Sequence, residues 1–161
     1  MGTTTPVERL AKQLQQRRWM LATAESCTGG LIAGACTDLS GSSNWFERGF
    51  VTYSNEAKTE LLGVAAELIE RHGAVSAEVA SAMAGGALTR SRAQVAVAVT
   101  GVAGPTGGTP DKPVGLVWFG FALPDRVVTE KMHFPGDRTA VRAATVRHAL
   151  ARLLELTSSS A

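Results

Sequence analysis

Aromatic side chains are scarce in this 161-residue chain, at 6% of the sequence. Proteins that bind single-stranded nucleic acid stack bases on aromatic rings, so this scarcity argues against that class. The formal net charge is only +2, and the basic residues are scattered along the chain. Nucleic-acid-binding proteins usually carry a basic patch or stripe. We therefore expect no nucleic-acid partner.

The chain also lacks long apolar runs and has only two cysteines. No apolar run reaches the roughly 18 residues that a membrane span needs, and residues 1–6 lack the features of a signal peptide. Cys27 and Cys36 form no CxxC motif, and no histidine stands at ligand spacing from them. We expect no membrane association, no metal site and two reduced cysteines, which favours a cytoplasmic protein.

The hydrophobic content of 45% and the length suit one domain with its own core. The apolar periodicity predicts the following elements: helix 7–17, strand 19–24, helix 30–39, strand 46–53, a helix starting near Asn55, helices 65–71 and 76–90, strand 94–100, strands 114–123 and 127–134, and helix 138–156. This order predicts a single-domain α/β fold, a three-layer sandwich whose mixed, mostly parallel sheet lies between helices. We expect the domain to span residues 6–157, with flexible ends at 1–5 and 158–161.

The turn at residues 24–30 places Ser26 between a strand end and a helix start. Free helix N–H groups and two glycines allow such a turn to hold a phosphate, or to set a nucleophile beside an oxyanion hole. An ordinary capped strand-to-helix turn is an equally weighted alternative.

A serine nucleophile needs a base at neutral pH. His72, His133 and His148 are poorly placed for this task, at a helix end, on a late strand and deep in the last helix. Lys58 follows a strand end and lies in the first turn of a helix. There, the helix dipole and partial burial would both lower its pKa. The alternatives are a solvated helix lysine and, for nearby Tyr53, an aromatic residue at the edge of the core.

A glycine-rich loop at residues 101–108 follows the central strand but matches neither the P-loop nor the GxGxxG pattern. A nucleoside triphosphate or dinucleotide is therefore not indicated. Backbone N–H groups from Thr100 to Ala103 are candidates for an anion nest. Arg138, at the start of the last helix, is a candidate for a phosphate contact, or else a surface arginine paired with an acid.

Taken in order, several short motifs resemble the CinA C-terminal domain family, the nicotinamide-nucleotide amidohydrolases. The matching segments are residues 24–30 (AESCTGG), 53–58 (YSNEAK), 75–76, 100–105 (TGVAGP) with 107–108, 112–115 (KPVG) and 134–138 (FPGDR). Each segment alone is weak, whereas the ordered set covers nearly the whole chain. Because only a short segment precedes the first predicted helix, we expect the chain to resemble the stand-alone form of the family.

The resemblance implies hydrolysis of the carboxamide of nicotinamide mononucleotide to nicotinate mononucleotide and ammonia, in pyridine-nucleotide salvage, without metal or cofactor. It implies Ser26 as nucleophile, Lys58 as base and then acid, and Tyr53 as an assisting residue. The expected substrate-site residues are Glu25, Cys27, Thr28, Gly29, Gly30, Thr100, Gly101 and Arg138. A homodimer is expected, because family members usually pair and because the last helix has more apolar residues than one face needs.

Three alternatives remain open at this point. In the first, the domain binds a pyridine nucleotide or a protein partner without turnover, in a role linked to competence or DNA damage. In the second, the domain is an amidase for a different nucleotide. In the third, Cys27 replaces Ser26 as the nucleophile, which we disfavour because its thiol has no evident basic partner.

Overall fold

A computed structural model describes residues 4–158 of the chain. The helices are α1 (Pro6–Arg17), α2 (Leu31–Thr37), α3 (Asn55–Leu62), α4 (Ala66–His72), α5 (Ala77–Thr89) and α6 (Arg138–Thr157), and the strands are β1 (Leu21–Glu25), β2 (Phe46–Val51), β3 (Val95–Gly101), β4 (Leu116–Ala122) and β5 (Val127–His133). A short 3₁₀ turn covers Ser42–Asn44. Within residues 4–158, no helix is long and apolar enough to cross a membrane.

The strands form one mixed sheet in the order β2-β1-β3-β4-β5. β1 pairs in parallel with both β2 and β3, whereas β4 pairs antiparallel with β3 and β5. The helical crossovers make the first three strands parallel, and the hairpin adds the two antiparallel ones. The predicted α/β sandwich with a mixed sheet is confirmed.

The two faces of the sheet carry side chains of different size. On β3, Val95, Val97 and Val99 point to one face, and Ala96 and Ala98 point to the other. We call these the bulky face and the alanine face. The bulky face packs against α1, α2 and α6, and the alanine face packs against α3, α4 and α5.

The small side chains of the alanine face let α5 approach the sheet closely. A Cβ on Gly120 of β4 would lie 2.3 Å from the carbonyl oxygen of Ala80 in α5. A Cβ on Gly86 of α5 would lie 2.0 Å from the carbonyl oxygen of Leu62 in α3, whereas a Cβ on Gly85 would meet nothing within 4 Å. Close packing therefore explains Gly86, and α5 seats the helix that carries Lys58.

The structure bears on two predictions that concern the ends of the chain. Thr5, predicted to be flexible, caps α1, because its hydroxyl accepts from the Glu8 N–H while the Glu8 carboxylate accepts from the Thr5 N–H. In α6, Val141, Leu150 and Leu153 are buried in the chain's own core. The homodimer stays a prediction without the argument from α6. Residues 1–3 and 159–161 of the predicted flexible ends lie outside the described part.

Candidate active site

Three loops meet at one edge of the sheet, where the parallel strands β1, β2 and β3 reach their carboxyl ends. Ser26 directly follows β1, and its backbone N–H donates to the carbonyl oxygen of Val99 on β3 at 3.2 Å. The Thr52 N–H, just after β2, donates to the carbonyl oxygen of Glu25 at 2.8 Å. Ligands of open α/β sheets bind outside this edge. This edge is therefore the candidate position of a functional site.

Lys58 and Ser26 form a buried pair at this edge. Lys58 Nζ lies 3.0 Å from Ser26 Oγ, and the two residues are 1% and 8% exposed. Ser54 caps α3 by accepting from the Ala57 N–H, which places Lys58 in the helix so that its side chain runs back toward β1. A nucleophile and a base within hydrogen-bond reach are the minimum arrangement for covalent catalysis.

The surroundings of Lys58 favour a neutral amine. Burial removes the ammonium from water and lowers the pKa of Lys58 below its ordinary value of 10.5, with a smaller opposing effect from Cys27. Nζ donates to the carbonyl oxygens of Thr52 at 3.0 Å and Tyr53 at 3.2 Å. A neutral amine has two N–H groups and one lone pair. When both N–H groups of the neutral amine are directed to these carbonyls, its lone pair is left for the Ser26 hydroxyl, whereas the third N–H of an ammonium would donate to Ser26 Oγ.

Other candidate nucleophiles and bases lack such a setting. Burial raises the pKa of the Cys27 thiol to about 11, so the thiol stays protonated at neutral pH. The histidine rings have other partners: His72 lies 3.7 Å from Glu78, His133 contacts the Val114 carbonyl at 2.9 Å, and His148 contacts Glu130 at 2.8 Å.

Glu25, predicted to line the substrate site, caps α2. Its carboxylate is fully buried and accepts from the backbone N–H groups of Ile32 and Ala33, both at 2.9 Å, and of Gly30 at 3.3 Å. The Thr28 hydroxyl, also fully buried, donates to the same carboxylate. The chain's own carboxylate thus occupies the position that an anion would take at the start of α2. This arrangement argues against a phosphate at the turn.

The turn at residues 24–30, which carries Ser26 and which we call the nucleophile turn, depends on its two glycines. Gly30 has a φ of +108°, which L side chains rarely adopt, and Gly29 has a φ of +57°. The Gly29 N–H donates to the Ser26 carbonyl at 3.0 Å, and the Gly30 N–H is held by Glu25. The backbone N–H groups of Cys27 and Thr28 are therefore the remaining candidates for oxyanion donors in this turn.

Tyr53 contacts the buried pair through its backbone rather than its phenol. Its carbonyl oxygen lies 3.2 Å from Lys58 Nζ and 3.5 Å from Ser26 Oγ. β2 ends at Val51, two residues before the predicted end of this strand, which frees residues 52 and 53 to present their carbonyls to Lys58. The Tyr53 side chain is 62% exposed, and its hydroxyl accepts from Arg138 Nη2 at 3.2 Å.

Arg138 stands at the start of α6, beside a cavity of about 430 Å³ lined in part by Pro105 and Val114. Arg138 Nη1 donates to the Gly104 carbonyl at 2.7 Å, whereas Nη2 donates to the Tyr53 hydroxyl. The guanidinium contacts no carboxylate at salt-bridge distance within the described chain, so the alternative of a surface ion pair is not observed. Arg138 and the Lys58–Ser26 pair thus lie at opposite ends of Tyr53.

Thr100 and Gly101, predicted to hold a phosphate, make packing and hydrogen-bond contacts with neighbouring parts of the chain. The Thr100 hydroxyl is buried and donates to the Ala74 carbonyl at 2.9 Å. A Cβ on Gly101 would lie 2.7 Å from the Val117 side chain, so β4 requires a glycine there. The Val102 N–H donates to the Leu116 carbonyl at 2.9 Å. Of the backbone N–H groups in the predicted anion nest, that of Val102 is therefore engaged by β4.

Sequence reasoning missed Arg142, one turn after Arg138 in α6. Its guanidinium donates to the carbonyl oxygens of Cys27 and Thr28, both at 3.1 Å. These partners are 115 and 114 residues away, so no local pattern indicates them.

The capping role of Glu25 was also missed, although an acid just before a helix start is a recognisable signal. The described residues contain no cluster of three metal-ligating side chains.

Comparison with known proteins adds a family. A family model described as the CinA C-terminal domain matches residues 3–157. The nicotinamide-nucleotide amidohydrolase PncC of Enterobacter agglomerans is 60% identical over 130 residues, covering 80% of this chain and 79% of that protein. The protein of the same name from Pseudomonas putida is 54% identical over 153 residues, covering 95% and 96%. The crystal structure of competence/damage inducible protein CihA from Agrobacterium tumefaciens matches with a TM-score of 0.89 at 48% identity, covering 98% of this chain and 100% of that one.

Proposed function

Because this chain belongs to the CinA C-terminal domain family, we propose that it hydrolyses the carboxamide of nicotinamide mononucleotide to nicotinate mononucleotide and ammonia. The observation that carries the proposal is the 3.0 Å contact between Lys58 Nζ and Ser26 Oγ at the ligand-binding edge of the sheet. In its neutral form, which the lowered pKa makes more accessible, Lys58 in contact with Ser26 is a base–nucleophile pair suited to amide hydrolysis.

In the acylation step, Ser26 Oγ attacks the amide carbon while its proton passes to the lone pair of Lys58. The resulting oxyanion is stabilised by backbone N–H groups of the nucleophile turn, with Thr28 as the main donor. Lys58 then gives its proton to the departing nitrogen, the C–N bond breaks, and ammonia leaves. A water molecule then attacks the Ser26 ester while its proton passes to Lys58. The C–Oγ bond breaks, Lys58 returns the proton to Ser26 Oγ, and nicotinate mononucleotide leaves.

The far end of the substrate carries the phosphate, and we assign its recognition to Arg138. The arginine already donates to two neutral oxygens, from Gly104 and the Tyr53 hydroxyl. A phosphate forms stronger, charge-assisted hydrogen bonds and would compete for these donors. Tyr53, which spans the distance between Arg138 and Lys58, suits a substrate with an amide at one end and an anion at the other.

We place the reaction in pyridine-nucleotide salvage in the cytoplasm, with no metal or cofactor taking part. Cys27 and Cys36 are both free and buried, which suits a reducing compartment. The proposed mechanism draws every proton transfer and every hydrogen bond from the protein's own side chains and backbone.

The test is incubation of purified protein with nicotinamide mononucleotide in the presence of a metal chelator, following ammonia and nicotinate mononucleotide by chromatography. Ser26→Ala protein, purified in the same way, controls for contaminating amidohydrolases. We expect equal amounts of the two products from the wild type and none from the variant. Tight binding of the mononucleotide without product would contradict the proposal and favour a non-catalytic nucleotide-binding domain.

A further inference from the structure

Arg142 contacts the nucleophile turn, and the proposed chemistry leaves its charge unused. It reaches the turn from α6 on the bulky face, whereas Lys58 reaches it from α3 on the alanine face. Its two hydrogen bonds end on successive carbonyls, those of Cys27 and Thr28. A partly buried guanidinium bound to two adjacent peptide groups fixes the orientation of both.

The direction of these peptide groups follows from their planarity. In a trans peptide, the carbonyl and the following N–H point in opposite directions. The Thr28 carbonyl faces Arg142, and the N–H of the same peptide group, on Gly29, donates to the Ser26 carbonyl at 3.0 Å. The side of the turn away from Arg142 is therefore the side on which the Ser26 backbone carbonyl lies. The Cys27 carbonyl also faces Arg142, so the Thr28 N–H points to the same side.

We infer that Arg142 is a positioning residue that aims and polarises the Thr28 N–H as the oxyanion donor. A positive charge on the carbonyl side of a peptide draws electron density from its nitrogen and strengthens the N–H as a donor. Such donors act on the charge that develops in the transition state and leave ground-state binding nearly unchanged. The inference rests on the proposed acyl transfer at Ser26.

The experiment compares Arg142→Met with wild type on nicotinamide mononucleotide and on its thioamide analogue. Loss of one direct oxyanion donor lowers kcat by about 100- to 1,000-fold, so we expect about 10- to 100-fold for a donor that loses its support. The KM should change less than about twofold. The preference for oxygen over sulfur should shrink, because a larger, weaker acceptor gains less from an aimed N–H. A purely structural role would leave that preference unchanged and would overturn the inference.

Two further variants control for folding. Arg147→Met removes another guanidinium from the exposed side of α6 and should leave kcat and the oxygen-to-sulfur preference unchanged. Arg142→Lys keeps the charge but not the fork that holds two carbonyls, so kcat should lie between wild type and Arg142→Met. If Arg142→Met does not fold, Arg142→Lys carries the test. Wild-type values for both kcat and the preference in that variant would overturn the inference.

A probe of Ser26 that needs no nucleotide separates this inference from the proposed substrate. A small alkyl fluorophosphonate reacts with an activated serine: the Oγ–P bond forms, the P–F bond breaks, fluoride leaves and the serine proton goes to Lys58. The phosphoryl oxygen then occupies the oxyanion position. We expect labelling of wild type, at least tenfold slower labelling of Arg142→Met, and none of Ser26→Ala. Equal labelling rates in wild type and Arg142→Met would overturn the role of Arg142. Labelled wild type that releases no ammonia from the mononucleotide would count against the substrate alone.

Discussion

The two ends of the candidate site differ in how the protein holds them. At the inner end, Lys58 and Ser26 are buried, and Nζ is fixed by two backbone carbonyls in addition to the serine. At the outer end, Tyr53 is 62% exposed, and the hydrogen bonds that Arg138 donates within residues 4–158 end on neutral oxygens. The inner end is set by the fold before any ligand binds, whereas the outer end has partners that an anion would replace.

This difference predicts which kinetic constant each end controls. Groups held in place for the reaction lower the free energy of the transition state and act on kcat. Groups that exchange weak partners for a charged substrate contribute to binding in the ground state and act mainly on KM. The substitutions below test this division, starting with the largest expected effect.

Lys58→Met should have the largest effect, because it removes the base and the proton donor together. Positioned general acids and bases contribute typically 10²- to 10⁴-fold, so we expect kcat to fall by about 10³-fold or more with KM nearly unchanged. Steady-state release of ammonia measures this change, and Lys12→Met, at an exposed position of α1, is the matched control. A variant that keeps a tenth of wild-type kcat would remove Lys58 from the mechanism.

The pH dependence of the inner end follows from the lowered pKa of Lys58. Burial disfavours the ammonium form, so the pKa lies below 10.5, and the active form is the neutral amine. The value of kcat/KM should rise about tenfold per pH unit below that pKa and level off above it. Nicotinamide riboside, which has no phosphate to titrate, gives the cleaner profile. A rate that falls as the pH rises over this interval would contradict a neutral base.

Arg138→Met should break the outer end selectively. Loss of a charge-assisted contact to phosphate should raise the KM for the mononucleotide about tenfold, with kcat within a few-fold of wild type. The same substitution should barely change kcat/KM for nicotinamide riboside, since this substrate has no phosphate. Equal losses on both substrates would place Arg138 in the chemistry instead and would erase the contrast between the two ends.

Tyr53→Phe should have the smallest effect, because the backbone carbonyl of residue 53 stays beside Lys58. The variant loses only the hydroxyl that accepts from Arg138, so we expect a change of about two- to fivefold in KM and little change in kcat. Steady-state kinetics on the mononucleotide provide the measurement. A loss of kcat approaching that of Lys58→Met would show that the phenol itself takes part in the reaction.

The sequence was informative where function depends on position along a strand or helix. Ser26 directly follows β1, and Lys58 lies in the helix after β2. The apolar periodicity locates the ends of both strands, and the carboxyl ends of parallel strands share one edge of the sheet. The direction of the pKa shift of Lys58 also follows from its expected burial. These features need only local pattern and topology.

The sequence was less informative where the same residue allows both a structural and a functional interpretation. Thr100 and Gly101 match the family's motif, yet their side-chain positions face the chain itself, toward Ala74 and Val117. Arg142 acts across more than 100 residues, and such a contact depends on the packing of α6 beside α2. Tertiary packing, which no local pattern encodes, decides these cases.

The most direct test of the central claim compares Ser26→Ala with Cys27→Ala, since the two side chains are neighbours and only one can be the nucleophile. Both variants would be assayed for ammonia and nicotinate mononucleotide in single-turnover reactions with enzyme in excess. The account predicts no product above background from Ser26→Ala and a rate within a few-fold of wild type from Cys27→Ala. Product from Ser26→Ala together with loss of product from Cys27→Ala would contradict it.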